Sequence, residues 1–180
     1  MRLRSIWKGM KARCYNEKRP EFPNYGGRGI VVDDEWLDFA TFSAWALKAG
    51  YRDDLELDRR DADGHYTASN CRWVPRAVNV ARRWLPRDGA YLEELTGRLT
   101  EEDIANLIIG YSPRKLFDGH GLHLYVSRTG AMSWRVKYRW RGREKLITLG
   151  TFPELGLMNA RELHFAVRQR LAAGRDPGAI

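Results

Sequence analysis

The stretch that decides the fold is SWRVKYRWR at residues 133–141, in which apolar and basic side chains alternate without interruption. The apolar positions are Trp134, Val136, Tyr138 and Trp140. The basic positions are Arg135, Lys137, Arg139 and Arg141. Because successive side chains of a β-strand point to opposite faces, we predict one apolar, buried face and one cationic, exposed face.

The flanking residues predict the rest of a small sheet-and-helix domain. Residues 122–127 alternate in the same way, and residues 143–149 follow a turn at Gly142. Apolar residues recur at three- and four-residue spacing from Leu157 to Leu171, which predicts a closing helix. Thr100 and Asp103 fit a capping box for a short helix through Ile108. We therefore predict a three-stranded antiparallel sheet packed on a C-terminal helix.

The cationic strand face favours a polyanionic partner. Four like charges in a row repel one another, and a strand pair or small sheet fits the major groove of DNA. The competing interpretation is a solvated edge whose charges only prevent aggregation. We expect neighbouring side chains to share the exposed face, so the predicted DNA-binding set in this half is His123, Tyr125, Arg135, Lys137, Arg139, Arg141 and Thr148.

The overall composition agrees with a nucleic-acid partner. The chain has 31 basic and 23 acidic residues, mostly arginine among the bases, and a formal charge of +8. Basic side chains gain affinity for nucleic acid by displacing the counterions of phosphate. Two cysteines provide neither a disulfide framework nor a metal-ligand pair. No apolar stretch has the length of a signal peptide core or a membrane span, so the expected location is the cytoplasm of a bacterial host cell.

The N-terminal half predicts a second, separate module. Helices are predicted over 1–16, 35–49 and 76–84, and strands over 30–32, 55–58 and 70–74. Pro86, Asp88 and Gly89 break the pattern. The predicted class is α+β with two small domains: residues 1–86, a linker at 87–98, and residues 99–180.

The C-terminal half resembles the arm-type DNA-binding domain at the N-terminus of phage and genomic-island tyrosine integrases. The motifs that carry the resemblance fall in order along the chain: Leu116-Phe117-Asp118-Gly119, Gly121-Leu122-His123-Leu124, Trp134 to Arg139, Leu149-Gly150-Thr151-Phe152-Pro153 and Ala160-Arg161. The resemblance implies binding to the arm sites of an attachment site. It also implies that a chain without the recombinase catalytic domain does not recombine DNA alone.

The N-terminal half resembles small phage proteins related to HNH homing endonucleases, which occur beside AP2-like DNA-binding segments. The motifs include Ile6-Trp7-Lys8-Gly9-Met10-Lys11, Tyr25-Gly26-Gly27-Arg28-Gly29-Ile30, Leu57-Asp58-Arg59 and Asn70-Cys71-Arg72-Trp73. The resemblance implies an HNH-like module containing a β-hairpin and a helix (ββα). In that comparison Asp58 takes the first metal position, Asn70 the central asparagine and Asn79 a possible second ligand.

One substitution in this pattern argues against nuclease chemistry. Arg59 stands where the general-base histidine belongs, and arginine stays protonated at any working pH. His65 in the following loop is the one substitute base nearby. We therefore expect a degenerate site, with candidate catalytic residues Asp58, Arg59 and Asn70 and candidate metal ligands Asp58 and Asn79.

Three functions remain open from the sequence. The favoured one is a phage or prophage protein that binds double-stranded DNA without a cofactor, in a process related to integration or recombination. Its N-terminal phosphate contacts would come from Arg28, Arg59, Arg60, Arg72, Arg82 and Arg83. The second is a nicking endonuclease that needs Mg²⁺. The third is an adaptor that binds a phage integrase or another recombination protein, with Trp84 and Trp140 in the interface.

Overall fold

The computed structural model of the chain describes residues 2–107 and 113–178, in which helices accompany two antiparallel sheets. This is consistent with the predicted α+β class. The chain divides into two compact units, one of residues 1–79 with 86–90 and one of residues 80–85 with 91–180. The predicted boundaries at 86 and 98 remain a prediction. Within residues 2–107 and 113–178, no helix combines the length and the hydropathy that crossing a membrane requires.

The N-terminal unit is built on two helices and a hairpin. Helix α1 is Arg2–Tyr15 and helix α2 is Phe39–Lys48. Strands β1 (Leu55–Arg59) and β2 (Cys71–Pro75) pair antiparallel, and α3 (Arg76–Ala81) follows directly. Met10, Phe42 and Ala46 are fully buried in the core, as the helical spacing of apolar residues predicts.

Two predicted elements of this unit differ in the structure. Residues 30–32 form no strand but only a single bridge between Val32 and Tyr66. The predicted helix over 35–49 is divided into a 3₁₀ turn, Asp34–Leu37, and α2. The cause is Asp38, whose backbone is extended and whose carboxylate accepts a hydrogen bond from the Thr41 amide, so that it caps a new helix.

The C-terminal unit consists of a short helix, a sheet and a long helix. Helix α4 is Glu101–Ala105, and its predicted capping box between Thr100 and Asp103 is confirmed. The predicted end of this helix at Ile108 lies outside the described residues. The strands are β3 (Arg114–Gly119), β4 (Leu122–Val126), β5 (Met132–Trp140) and β6 (Arg143–Phe152), and helix α5 is Leu157–Ala172.

The sheet has four strands in the order β3-β4-β5-β6, so the prediction of three strands is wrong. The additional strand, β3, pairs antiparallel with β4. Its sequence, RKLFDG, lacks the alternation that marks β5, and for this reason the pattern does not predict it. Gly121 in the β3–β4 turn has φ +90°, and a Cβ there would lie 2.1 Å from the Lys137 carbonyl oxygen.

A buried ion pair ties the start of this domain to α5. Arg161 donates to both carboxylate oxygens of Asp118 at 2.9 and 2.8 Å, and to the Leu99 carbonyl oxygen at 2.7 Å. The Leu99 amide in turn donates to Asp118 at 2.9 Å. A Cβ on Gly97 would lie 2.2 Å from this carboxylate, so the close approach of the chain requires glycine.

Candidate nucleic-acid interface

The burial of β5 alternates as predicted. Trp134 is 0%, Val136 1% and Tyr138 7% exposed, whereas Lys137 and Arg139 are exposed. The Trp134 indole N–H donates to the Leu155 carbonyl oxygen at 2.9 Å, and the Tyr138 hydroxyl donates to Asp176 at 2.9 Å. The apolar side of the strand is thereby fixed to the body of the unit, and its cations are left on the opposite side.

The strand register defines which side chains share that opposite side. His123 and Thr148 flank Arg135, Leu146 is the partner of Lys137, and Glu144 is the partner of Arg139. Directly opposed residues of antiparallel strands point to the same face. We call this side the basic face, and its members are Lys115, Phe117, His123, Tyr125, Ser133, Arg135, Lys137, Arg139, Glu144, Leu146, Thr148 and Thr151.

Two of the cations on the basic face are oriented by neighbours. The guanidinium carbon of Arg135 lies 3.9 Å from the centroid of the Tyr125 ring, and its Nε donates to the Ser133 hydroxyl at 3.0 Å. Lys137 forms an ion pair with Glu144 at 2.8 Å, and this hydrogen bond lowers the pKa of the Glu144 carboxyl. Both interactions are accessible to solvent, so a ligand can compete for them.

The expectation that His123 is exposed is wrong. The side chain is 2% exposed, packs against the Phe117 ring and contacts the Gly121 carbonyl oxygen through Nδ1 at 3.1 Å. Burial lowers its pKa, and the positive charges of Lys115, Arg135 and Lys137 act in the same direction. His123 therefore lies within the basic face but is covered by its neighbours. Burial disfavours its protonated, cationic form.

Arg141 also departs from the prediction, because it lies outside β5. Its φ of +48° places it in the β5–β6 turn beside Gly142, and its guanidinium carbon lies 5.7 Å from the centroid of the Trp140 ring. Alternation predicts the side of a residue only while the chain stays extended. Of the other predicted residues, Tyr125 is half-buried and Thr148 is exposed.

Sequence reasoning missed two apolar members of the basic face. Phe117 is 58% exposed and Leu146 is 54% exposed. Leu146 is two residues before Thr148 in a predicted strand, so the same alternation contained the signal for it. Phe117 belongs to β3, which the pattern did not predict.

The two candidate metal ligands of the N-terminal unit each have a partner within the protein. Asp58 is 6% exposed and accepts from Arg72 at 2.9 and 3.0 Å, an ion pair fixed by their direct opposition in β1 and β2. Asn79 instead donates to Glu56. Among the described residues, no group of three or more His, Cys, Asp or Glu side chains has a metal-binding arrangement.

Arg59 and Asn70 have interactions within the unit. Arg59 is 9% exposed, donates to the Gly64 carbonyl oxygen at 2.5 Å and stacks on Tyr66 at 4.7 Å. The Asn70 side chain donates to the carbonyl oxygens of Asp61 and His65 at 3.0 and 2.9 Å, which closes the loop between β1 and β2. His65 is exposed, with Nδ1 3.3 Å from the Val31 amide nitrogen.

The remaining predicted arginines lie in different surroundings. Arg28 forms an ion pair with Asp63 at 2.6 Å and is exposed, as is Arg60. Arg82 donates to the Tyr91 hydroxyl at 2.7 Å, and Arg83 is exposed with its guanidinium carbon 5.6 Å from the Trp84 ring centroid. Unlike the basic face, this set does not form one surface defined by strand register.

Comparisons with known proteins give a family match, whose residues are in the C-terminal part of the chain, and several relatives. Residues 99–180 match the Arm DNA-binding domain family. The chain is 38% identical over 65 residues to the integrase of Shigella phage Sf6 and, equally, to the prophage integrase IntS of Escherichia coli. It is 42% identical over 57 residues to the putative protein IntB of Escherichia coli.

These matches cover 36%, 36% and 32% of the chain but only 17%, 17% and 14% of the respective relatives. The chain therefore spans a small part of the length of the relatives it matches. The described residues of the match include β3 to β6 and α5, which carry the basic face. Residues 99–180 are therefore similar to the Arm DNA-binding domain family, and the relatives that the chain matches include a phage integrase and a prophage integrase.

Proposed function

We propose that the protein binds double-stranded DNA through the basic face, in a phage or prophage process linked to integration. The observation that carries the proposal is the alternation along β5, where buried Trp134, Val136 and Tyr138 leave their basic neighbours on a solvent-facing sheet. A sheet face of this kind can lie in the major groove, with some cations on phosphates and others on base edges. Binding of this kind needs no cofactor.

The side chains of the basic face suit contact with base edges in a groove better than contact with the phosphate backbone alone. Arginine forms paired hydrogen bonds with the O6 and N7 of guanine, and Arg135 is held above Tyr125 in a defined orientation. Leu146 and the Thr148 methyl offer apolar contacts, which suit the methyl group of thymine. Phe117 and Leu146 also expose apolar surface on this face, which a duplex bound there would cover.

A salt titration tests the proposal. Replacing Arg139 with alanine is expected to flatten the slope of log K against log salt by about one unit if the side chain contacts phosphate. For Arg135→Ala, loss of a base contact is expected to cost about 1–3 kcal/mol and to relax sequence preference at one position. The measurement is fluorescence anisotropy with a random-sequence duplex and with selected duplexes at several salt concentrations.

Arg143→Ala is the matched control, because Arg143 is an exposed arginine of β6 paired with Trp140 on the other side of the sheet. It is expected to keep the parental slope. If Arg135→Ala and Arg139→Ala remain folded and bind as the parent does, the proposal is wrong. An affinity insensitive to salt would instead favour the adaptor function, with a recombination protein as the partner.

For the N-terminal unit we propose an HNH-like module that contributes to DNA binding rather than to cleavage. The succession of β1, β2 and α3 supports an HNH-like arrangement, and Arg28 and Arg60 supply exposed cations. The alternative is a nicking endonuclease that uses Mg²⁺. The ion pair of Asp58 with Arg72 and the hydrogen bond of Asn79 to Glu56 engage both candidate metal ligands, which favours the binding role.

A plasmid assay separates these two roles. The purified protein is expected to leave supercoiled plasmid intact in Mg²⁺ or Mn²⁺, because a permanently protonated Arg59 cannot activate water. Arg59→His is expected to remain inactive as well, since Asp58 stays paired with Arg72. Nicking by the parent that disappears in both Asp58→Ala and Asn79→Ala would overturn the binding role.

A further inference from the structure

A second cluster of cations lies in the C-terminal unit around Trp84. The guanidinium carbons of Arg170, Arg175 and Arg83 lie 4.9, 5.0 and 5.6 Å from the centroid of its ring. Arg83 and Arg175 are exposed, whereas Trp84 and Arg170 are half-buried. These four residues are called the Trp84 cluster. Its cations come from two segments far apart in sequence, so the fold brings them together.

The end of α5 positions two members of the cluster. The Arg175 amide donates to the Arg170 carbonyl oxygen and the Gly174 amide to that of Leu171, a Schellman closure that requires the positive φ of Gly174. The turn brings Arg175 back beside Arg170. Asp176 directs its carboxylate to Tyr138 and Lys145 and offers Arg170 its backbone carbonyl oxygen.

The cluster lies beside α5, where the segment that carries Trp84 packs against the helix. Helix α5 contacts β5 and β6, and its buried residues Ala160, Leu163 and Val167 recur at the spacing of one helix face. On another side, Ala166 packs with Leu85, Tyr91 and Leu95, and Glu162 accepts a hydrogen bond from Tyr91. The segment that carries Trp84 therefore packs on a different side of α5 from the one that contacts the sheet, and the basic face lies on the opposite side of the sheet from α5.

Two simpler explanations account for only part of the cluster. Cations near the C-terminus of a helix interact favourably with its dipole, which explains Arg170 and Arg175. This effect does not explain Arg83, which belongs to another segment. Cation–π stacking stabilises each arginine against the indole, but it also concentrates positive charges that repel one another.

We infer that the Trp84 cluster is a second site for DNA phosphates, so that the C-terminal unit holds two duplex segments at once. Arginine forks match phosphate oxygens in paired hydrogen bonds, and an anion relieves the repulsion among the cations. The indole ring already carries guanidinium groups, so the ligand is the sugar–phosphate backbone rather than a stacked base. The inference rests on the proposed function for the first segment, which is bound by the basic face.

A capture experiment with the full chain tests the inference. A biotinylated random-sequence duplex is fixed on beads, the protein is loaded, and a fluorescent duplex of different sequence is added. The parent is expected to bind the beads and retain the fluorescent duplex. Arg170→Gln/Arg175→Gln is expected to bind the beads but lose most of the capture, with the salt slope of capture reduced by about two units.

Two control variants show whether a loss of duplex capture has another cause, such as unfolding of the protein. Arg168→Gln removes an exposed arginine on another face of α5 and is expected to capture as the parent does. Arg175→Glu alone changes an exposed side chain, so it keeps the test valid if the double variant melts early. Undiminished capture by a folded Arg175→Glu variant, or no capture by the parent, contradicts the inference. Failure of the parent to bind the beads contradicts the proposed function as well.

Discussion

Replacing Trp134 with alanine is expected to lower the free energy of unfolding of the C-terminal unit by about 3–5 kcal/mol. The side chain is fully buried in a central strand, and its indole N–H donates to Leu155. Truncation removes a large apolar surface, leaves a cavity and deprives a buried carbonyl of its donor. Urea unfolding of the full chain is monitored by hydrogen exchange of peptides from β4–β6. These peptides report on the C-terminal unit separately from the N-terminal one.

Trp140→Ala is the matched control, because Trp140 lies on the same strand but is only half-buried. Its loss is expected to be clearly smaller. The assignment of Trp134 to the core is wrong if the free energy of unfolding of Trp134→Ala lies within about 1 kcal/mol of the parent's, because that difference is well below the expected loss. The DNA salt slope of Trp134→Ala is expected to match that of the parent wherever the variant is folded, since Trp134 faces away from the basic face.

The second large effect is expected from Asp118→Ala, at about 3–5 kcal/mol of unfolding free energy. Asp118 is the carboxylate partner of Arg161, whose side chain is 11% exposed, and its removal leaves a buried guanidinium without a counter-charge. The same carboxylate accepts from the Leu99 amide, so the variant also releases the start of the domain. Thermal and urea unfolding measure the loss.

The lowered pKa of the Asp118 carboxyl also predicts that the stability of the C-terminal unit depends on pH. Burial by itself would raise the pKa of its carboxyl, but hydrogen bonds from Arg161 and Leu99 and the charge of Arg161 outweigh burial and lower it. A lowered folded-state pKa gives stability that is fully present above the unfolded-state value of about 3.9 and is lost as the pH falls through the folded-state pKa. In Asp118→Ala this component of the acid transition is expected to disappear, and an unchanged acid transition would contradict the assignment.

The parts of the fold that the sequence predicts are those encoded by short-range periodicity. The period-two pattern of residues 133–140 is realised in β5, and the helical spacing from Leu157 to Leu171 is realised in α5. The capping box at Thr100 depends on residues three positions apart and is equally local. Strand β3 has no such period, and it forms because β4 offers an edge with which it can pair.

The candidate site was only partly predictable, because alternation gives the side of a residue but not what covers it. His123 has the predicted side, yet the Phe117 ring from the unpredicted strand lies against it. In the N-terminal unit, the pairing of Asp58 with Arg72 depends on hairpin register, which residue order alone does not specify. The Trp84 cluster depends on residues about 90 positions apart meeting through the fold.

The strand order β3-β4-β5-β6 has a kinetic consequence. Each strand pairs with the next one in sequence, so the sheet forms through short loops whose closure costs little chain entropy. Loops of this size close on the submicrosecond scale and hairpins form within about 1–10 μs. The contact between Asp118 and Arg161 spans 43 residues, so it closes a much larger loop than the turns between neighbouring strands. Assembly of the meander before docking of α5 is therefore the entropically favoured order of folding.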